Sequence, residues 1–191
     1  MCGRYCFSAG DADDKIRILS DMMERNYPGA YKTGEIFPGD TAPLILARQG
    51  RIVPVPAVFG FPGFQGSRLL INARAETAAE KKTFAACLNG RRAIVPATGF
   101  YEWSHDSQKV KYRFTAELAP VMYLCGLYQI IEGQFHFVIL TRAANASMKE
   151  IHDRMPVIVS ESEVRPYLTD RSAADAILKS AAPTLRRRRC D

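Results

Sequence analysis

Residues 92–141 read RAIVPATGFYEWSHDSQKVKYRFTAELAPVMYLCGLYQIIEGQFHFVILT, and this stretch decides the fold class. Five of its segments read as extended: Arg92 to Val95, Phe100 to Trp103, Lys111 to Ala116, Val121 to Tyr128 and Gln134 to Thr141. Working toward the N-terminus, Leu44 to Ala47 and Arg51 to Phe59 also read as strands. Pro54 and Pro56 lack a ladder donor, which suits the second of these to a sheet edge. Leu69 to Asn72 reads as a short apolar strand running into a helix from Ala75 to Leu88, stopped by Asn89-Gly90. Asp11 to Arg25 has helical periodicity, with Ile16, Leu19, Met22 and Met23 near one face. Toward the C-terminus the reading gives a helical turn at Ser147 to Ile151 and a strand from Pro156 to Val159. Helices are expected at Glu161 to Leu168 and Ala173 to Ser180. Strands clustered mid-chain with helices at both ends, and no internal repeat or long linker, predict one α+β domain with mainly antiparallel pairing.

Composition narrows the function classes. The chain has 191 residues, 47% hydrophobic and 24% charged, which suits one domain with a sizeable core and argues against disorder. No apolar run approaches the ~20 residues that span a bilayer, and Met1-Cys2-Gly3-Arg4 opens no secretory signal, so a cytoplasmic protein without membrane contact is expected. Five cysteines (Cys2, Cys6, Cys87, Cys125, Cys190) have no paired metal spacing, so free thiols and no metal or other cofactor are expected. The net charge of +6 favours a polyanionic partner. Arg186 to Arg189 carry much of it, either as a solvated tail or as a phosphate contact.

Four short segments offer chemistry. Cys2 follows the initiator, which is normally removed before a small residue, and removal leaves an amine and a thiol on adjacent carbons. Such a 1,2-aminothiol condenses with an aldehyde to an imine, which the thiol closes to a five-membered thiazolidine with a large effective-molarity advantage. Taken alone, Cys2 reads first as an incidental buried cysteine. In Asn72-Ala73-Arg74-Ala75-Glu76-Thr77, polar side chains alternate at an expected strand-to-helix junction, where Arg74 and a helix N-terminus suit an anion. Glu76 and Thr77 read as helix caps, whereas Asn72 ends an apolar strand and needs partners if buried. In Gly99-Phe100-Tyr101-Glu102-Trp103, a carboxylate among aromatics is costly to ionise, which suits Glu102 to proton transfer. Trp103, the single tryptophan, suits either the core or stacking on a base. Of three histidines, His136 reads as structural within a strand and His105 as solvated in a polar turn. His152, in His152-Asp153-Arg154-Met155-Pro156, is the selected proton shuttle.

Taken together and in this order, Cys2-Gly3-Arg4, Asn72-Ala73-Arg74 with Glu76-Thr77, Gly99-Phe100-Tyr101-Glu102-Trp103 and His152-Asp153-Arg154-Met155-Pro156 resemble the SOS response-associated peptidase family over residues 2 to about 159. The resemblance implies a barrel-like antiparallel core with flanking helices, over a domain at 1–185 followed by a basic tail at 186–191. It implies a DNA-damage protein that recognises abasic sites in single-stranded DNA and traps the sugar aldehyde covalently on Cys2 once Met1 is removed, by self-cleavage or an aminopeptidase. By motif position, Asn72 holds the Cys2 amine or the sugar, Glu102 acts as acid or base in ring opening, and His152 shuttles protons. Arg4, Arg74 and Arg154 grip phosphates, Trp103 wedges beside the lesion, and Pro38 matches the proline of a DNA-side loop. A monomer, associated with the nucleoid when bound to DNA, is expected. Three departures stand out: Phe59-Gly60 takes the place of the family's Trp-Gly pair, the loop Phe37-Pro38-Gly39-Asp40 departs from the usual Asn-x-Ala-Pro pattern, and the sequence ends soon after Leu185 where relatives usually continue, so that the arginine run is expected to take over part of that segment's DNA contact. The alternatives are a Cys2/His152 thiol hydrolase acting on peptide bonds, and a non-covalent single-strand binder using Arg and Trp alone.

Overall fold

A computed structural model describes residues 2–8, 14–63, 68–105, 107–117 and 119–190. In chain order its elements are β1 (Arg4–Phe7), α1 (Asp14–Asn26), β2 (Gly34–Ile36), β3 (Thr41–Arg48), β4 (Arg51–Phe59), β5 (Asn72–Arg74), α2 (Lys82–Gly90), β6 (Arg92–Ala97), β7 (Gly99–Trp103), β8 (Lys111–Ala116), β9 (Met122–Ile131), β10 (Gln134–Ala143), β11 (Arg154–Pro156), β12 (Ile158–Val159), α3 (Glu161–Thr169), α4 (Arg171–Lys179) and β13 (Leu185–Arg189). The fold is α+β with mostly antiparallel pairing, as the strand-rich middle of the sequence predicts.

Five strands close on themselves. β3 pairs with β4 and β6, β6 with β9, and β9 with β10, all antiparallel. A parallel contact, His136↔Val58 and Phe137↔Phe59, joins β10 back to β4 and completes the barrel. The proline reading of β4 holds in part: Pro54 and Pro56 face only β3 in the register, and β10 joins just beyond them at Val58. A second sheet runs in the order β13-β8-β7-β1-β2.

Strand alternation divides the core in two. Leu44, Leu46, Val55, Ala57, Phe59, Phe137 and Ile139 form one cluster with Tyr5, Phe7, Phe100 and Phe114 from the inner face of the second sheet. The intervening Ile45, Ile94, Val138 and Leu140 form another, with Leu88 of α2, Tyr167 and Leu168 of α3, and Ala174 and Ile177 of α4. Phe59 is fully buried, stacked on Phe137 at 5.1 Å and edge-on to Tyr5 at 5.7 Å, so the aromatic at this position serves packing. In α1, Ile16 and Met23 are buried and Leu19 packs beside them, but Met22 is exposed because it falls off their stripe. The expected start of that helix, residues 11–13, lies outside the described residues.

Three expectations change. Asn72 to Arg74 is itself the strand, and α2 begins only at Lys82, after turns over residues 75–80; the turn region removes the expected strand-to-helix junction. Residues 147–151 form turns, in which Lys149 N–H donates to Asn145 O and His152 N–H to Met148 O. The arginine run, expected as a tail, forms β13 and pairs along β8 from Leu185↔Ala116 to Arg189↔Tyr112.

Candidate functional site

The antiparallel register of β1 on β7, with Arg4 opposite Tyr101, carries the N-terminal end of the chain toward Glu102 and Trp103. Cys2 is fully buried there. Asn72 opens β5, which lies parallel on β10 with Asn72 opposite Ile139. From that place Asn72 Nδ2 donates to Cys2 O at 3.2 Å and to Ile139 O at 3.4 Å. Its Oδ1 is buried and accepts no hydrogen bond among the described residues. A buried amide oxygen without a donor is uncommon enough to require a function or a missing partner. Met1 lies outside the described residues.

Glu102 is 4% exposed on the inner side of β7, beside the same position. Burial pushes the Cys2 thiol far above its ordinary pKa, and the negative charge of Glu102 pushes it further. The thiol therefore holds its proton at neutral pH and points it at Arg4 O, 3.9 Å away. His152, at the end of the 147–151 turns, is lowered by burial, while Glu102 acts in the opposite sense. Two partners compete for its Nδ1: the Arg154 amide at 2.9 Å and Asp153 Oδ1 at 2.8 Å. An amide N–H can only donate, so Nδ1 accepts and the proton sits on Nε2, in keeping with the neutral form that burial favours. Asp153 is 83% exposed and contributes little beside that bond. The fold thus brings together Cys2, Asn72, Glu102 and His152, from four separate segments.

The expected cationic residues divide. Arg4 lies between two aromatic faces, 4.4 Å from the centre of Phe37 and 4.8 Å from Trp103. Its Nη1 also reaches Glu35 at 3.4 Å. Pro38 is exposed in the turn that follows Phe37, held by the Phe37 N–H bond to Asp40 Oδ2 at 2.8 Å. Arg74 is exposed on β5, two residues from Asn72 and so on the same strand face. Arg154 is mostly buried and grips Glu76 with both Nη groups, at 2.8 and 2.7 Å, while Nη2 also donates to Thr141 O at 2.7 Å. That pairing holds the Glu76 carboxyl at about 2. Glu76 is therefore the carboxylate partner of Arg154 and caps no helix.

Sequence reading missed three neighbours. His105 lies with its ring 4.9 Å from His152, where the sequence shows only a polar turn. Phe37 shares the Arg4 guanidinium with Trp103, and Lys111 Nζ lies 5.6 Å from the Trp103 ring and pairs with Glu35 at 2.8 Å. The one signal for Lys111 is a cation starting the strand after the Trp103 strand. A cavity of about 680 Å3 near Val121, Tyr123 and Ile158 borders none of the four central residues. No helix among the described residues is long and apolar enough to cross a membrane.

The chain is similar to known proteins in sequence over most of its length, and in fold. Residues 1–189 match the family described as SOS response associated peptidase, SRAP. The chain is 31% identical over 180 residues to the abasic site processing protein YedK of Escherichia coli, covering 88% of this chain and 79% of that one. It is 36% identical over 196 residues to the abasic site processing protein YobE of Bacillus subtilis, covering 94% and 87%. Among solved structures, a protein from Bacteroides thetaiotaomicron superposes with a TM-score of 0.78 at 20% identity, covering 100% of this chain and 92% of the other.

Proposed function

The chain belongs to the SOS response-associated peptidase family, and on that premise we propose that it processes abasic sites in single-stranded DNA by trapping the sugar aldehyde on Cys2. The observation that carries this reading is the pairing of a buried Cys2 with Asn72, whose Oδ1 has no donor among the described residues. Removal of Met1 turns the Cys2 amide nitrogen into an α-amine, a donor with the freedom to meet that oxygen. An abasic sugar in its open form is an aldehyde on a polyanion, and the site offers an aminothiol within a basic protein.

The steps balance without a cofactor. Glu102 takes the proton of the anomeric hydroxyl as the sugar ring opens, and returns it to the ring oxygen. The amine attacks the aldehyde carbon, and the carbinolamine loses water to give the imine. The proton shed by the nitrogen passes by way of the Glu102 carboxylate to the hydroxyl, which leaves as water, while His152 orients that hydroxyl with a hydrogen bond from Nε2–H. The Cys2 sulfur then bonds to the imine carbon, its proton passing by way of Glu102 to the nitrogen. In the chain that keeps Met1, burial holds the sulfur protonated, so it stays unreactive before the amine is freed. Arg4 and Arg74 contact phosphates, Trp103 stacks beside the lesion, and Pro38 borders the Phe37–Arg4 stack. Arg154 acts by position, bracing Glu76 and, through its amide, fixing the His152 tautomer.

The thiol-hydrolase alternative fits less well, because a nucleophilic cysteine needs a lowered pKa and Cys2 has the reverse. Intact mass spectrometry tests the proposal, before and after incubation with single-stranded DNA carrying one abasic site. Protein lacking Met1 should gain the oligonucleotide mass less one water, stable to heat. Processed protein that gains nothing at saturating DNA sinks the covalent trap and leaves the non-covalent binder.

A further inference from the structure

In the five-stranded sheet the register β1–β7–β8–β13 lines up Arg4, Tyr101, Arg113 and Arg188 as direct cross-strand neighbours. Direct partners share a face. Phe100 and Phe114, one position away, are fully buried on the core side, so this row lies on the outer side. Trp103 and Lys111 form a parallel row there, and Arg186 precedes Arg188 by two residues. The arginine strand is thus split by alternation: Arg186 and Arg188 face outward, while Arg187 and Arg189 share the side of Phe114 and Tyr112. Arg187 accordingly pairs with Glu150 at 2.6 Å and lies 5.9 Å from the Tyr112 ring.

Such a row is unfavourable by itself. Arg113 and Arg188 are like charges directly opposite, an arrangement that destabilises a sheet. Arg113 lies along Gly99, donates from Nη2 to Thr98 O at 3.3 Å, and has a buried Nε without a partner among the described residues. On this face Arg4, Lys111, Arg113, Arg186 and Arg188 are opposed by Glu35 and Glu117, the latter 3.9 Å from Arg186. A surface of excess cations interleaved with Tyr101 and Trp103 matches a single nucleic-acid strand, whose phosphates offset the repulsion and whose unpaired bases stack.

We propose that this outer face, from Arg4 across to Arg186 and Arg188, is a track for the backbone of the single strand leading away from the Cys2 site. It spans three strand spacings, roughly 14 Å. The proposal rests on the reading that the chain binds single-stranded DNA. It is tested by fluorescence anisotropy with a 20-nucleotide oligothymidine lacking any abasic site, titrated over a range of salt. Arg186→Gln with Arg188→Gln should flatten the log–log salt dependence by about 1.4, at ~0.7 per phosphate contact. Arg187→Gln with Arg189→Gln removes the same charge from the same strand and should leave the slope near that of the unmodified chain. Equal loss from both pairs means bulk charge, and no loss from the outward pair means no track; either overturns the inference. If the outward pair binds normally while abasic-site DNA still crosslinks, only the track falls. If the unmodified chain binds neither DNA, the functional reading falls with it.

Discussion

At Cys2 the chemistry depends on what burial does to one proton. A thiol held protonated by desolvation and by Glu102 is a poor free nucleophile, yet suits addition to an imine formed on its own nitrogen. Cys2→Ser should therefore abolish the heat-stable adduct but leave a reversible imine, trapped by borohydride and detected by mass. A heat-stable adduct at wild-type yield would show that sulfur takes no part. Glu102→Gln should slow crosslinking by about 10²-fold, the lower range for loss of a general acid or base, with DNA affinity kept. Parallel loss of affinity and rate would mean that Glu102 shapes the site rather than moving protons.

Among the elements, β7 and β8 carry the site's inner and outer faces at once, and Gly99 sets their separation. A Cβ at Gly99 would come within 2.9 Å of both Arg113 Nε and the Phe114 carbonyl oxygen. The backbone oxygen cannot move aside without breaking the Phe100↔Phe114 pairing. Gly99→Ala should thus lower stability by about 1–3 kcal/mol, in the range of overpacked sites, read from denaturant midpoints at constant m-value. An unchanged midpoint would show that the two strands have slack at this point. β5 is the complementary case: three residues with no helix behind them, held on β10, place Asn72 inward to the site while the chain beyond turns Glu76 onto Arg154.

For the molecule as a whole, acid sensitivity follows from two groups with opposite charges and the same sign of effect. Glu76 in the folded chain titrates at about 2, below its unfolded value, so its contribution is present at neutral pH and is lost as pH falls from ~4.3 through about 2. His152 is lowered by burial, so the unfolded chain binds its proton first and stability declines as pH drops below ~6.5. Stability should accordingly fall in two limbs on acidification, read as urea midpoints from pH 8 to pH 2.5. Glu76→Gln should lower stability at pH 7 by about 1–2 kcal/mol, because Arg154 is mostly buried while Glu76 is 49% exposed and partly screened. The same variant should flatten the limb below ~4.3. A profile parallel to that of the unmodified chain would remove Glu76 from the acid response.

The sequence by itself determined the strand-rich α+β class, because alternation and helical period are local properties of residues such as those from 111 to 141. It also marked Asn72 as a polar amide beside an apolar segment and Glu102 as a carboxylate among aromatics, while the grouping of Cys2, Asn72, Glu102 and His152 rested on four motifs falling in the family's order. Their convergence was not local. It came from the parallel seating of β5 on β10 and the antiparallel seating of β1 on β7, contacts between residues 67 and 97 positions apart. Only the tertiary structure paired Glu76 with Arg154, placed His105 against His152, and turned the arginine run into an edge strand with two faces. Charge count is additive along a chain and so legible in it. Which charges meet, and which side of a sheet they face, depends on register, and register is set by packing against residues far away in sequence.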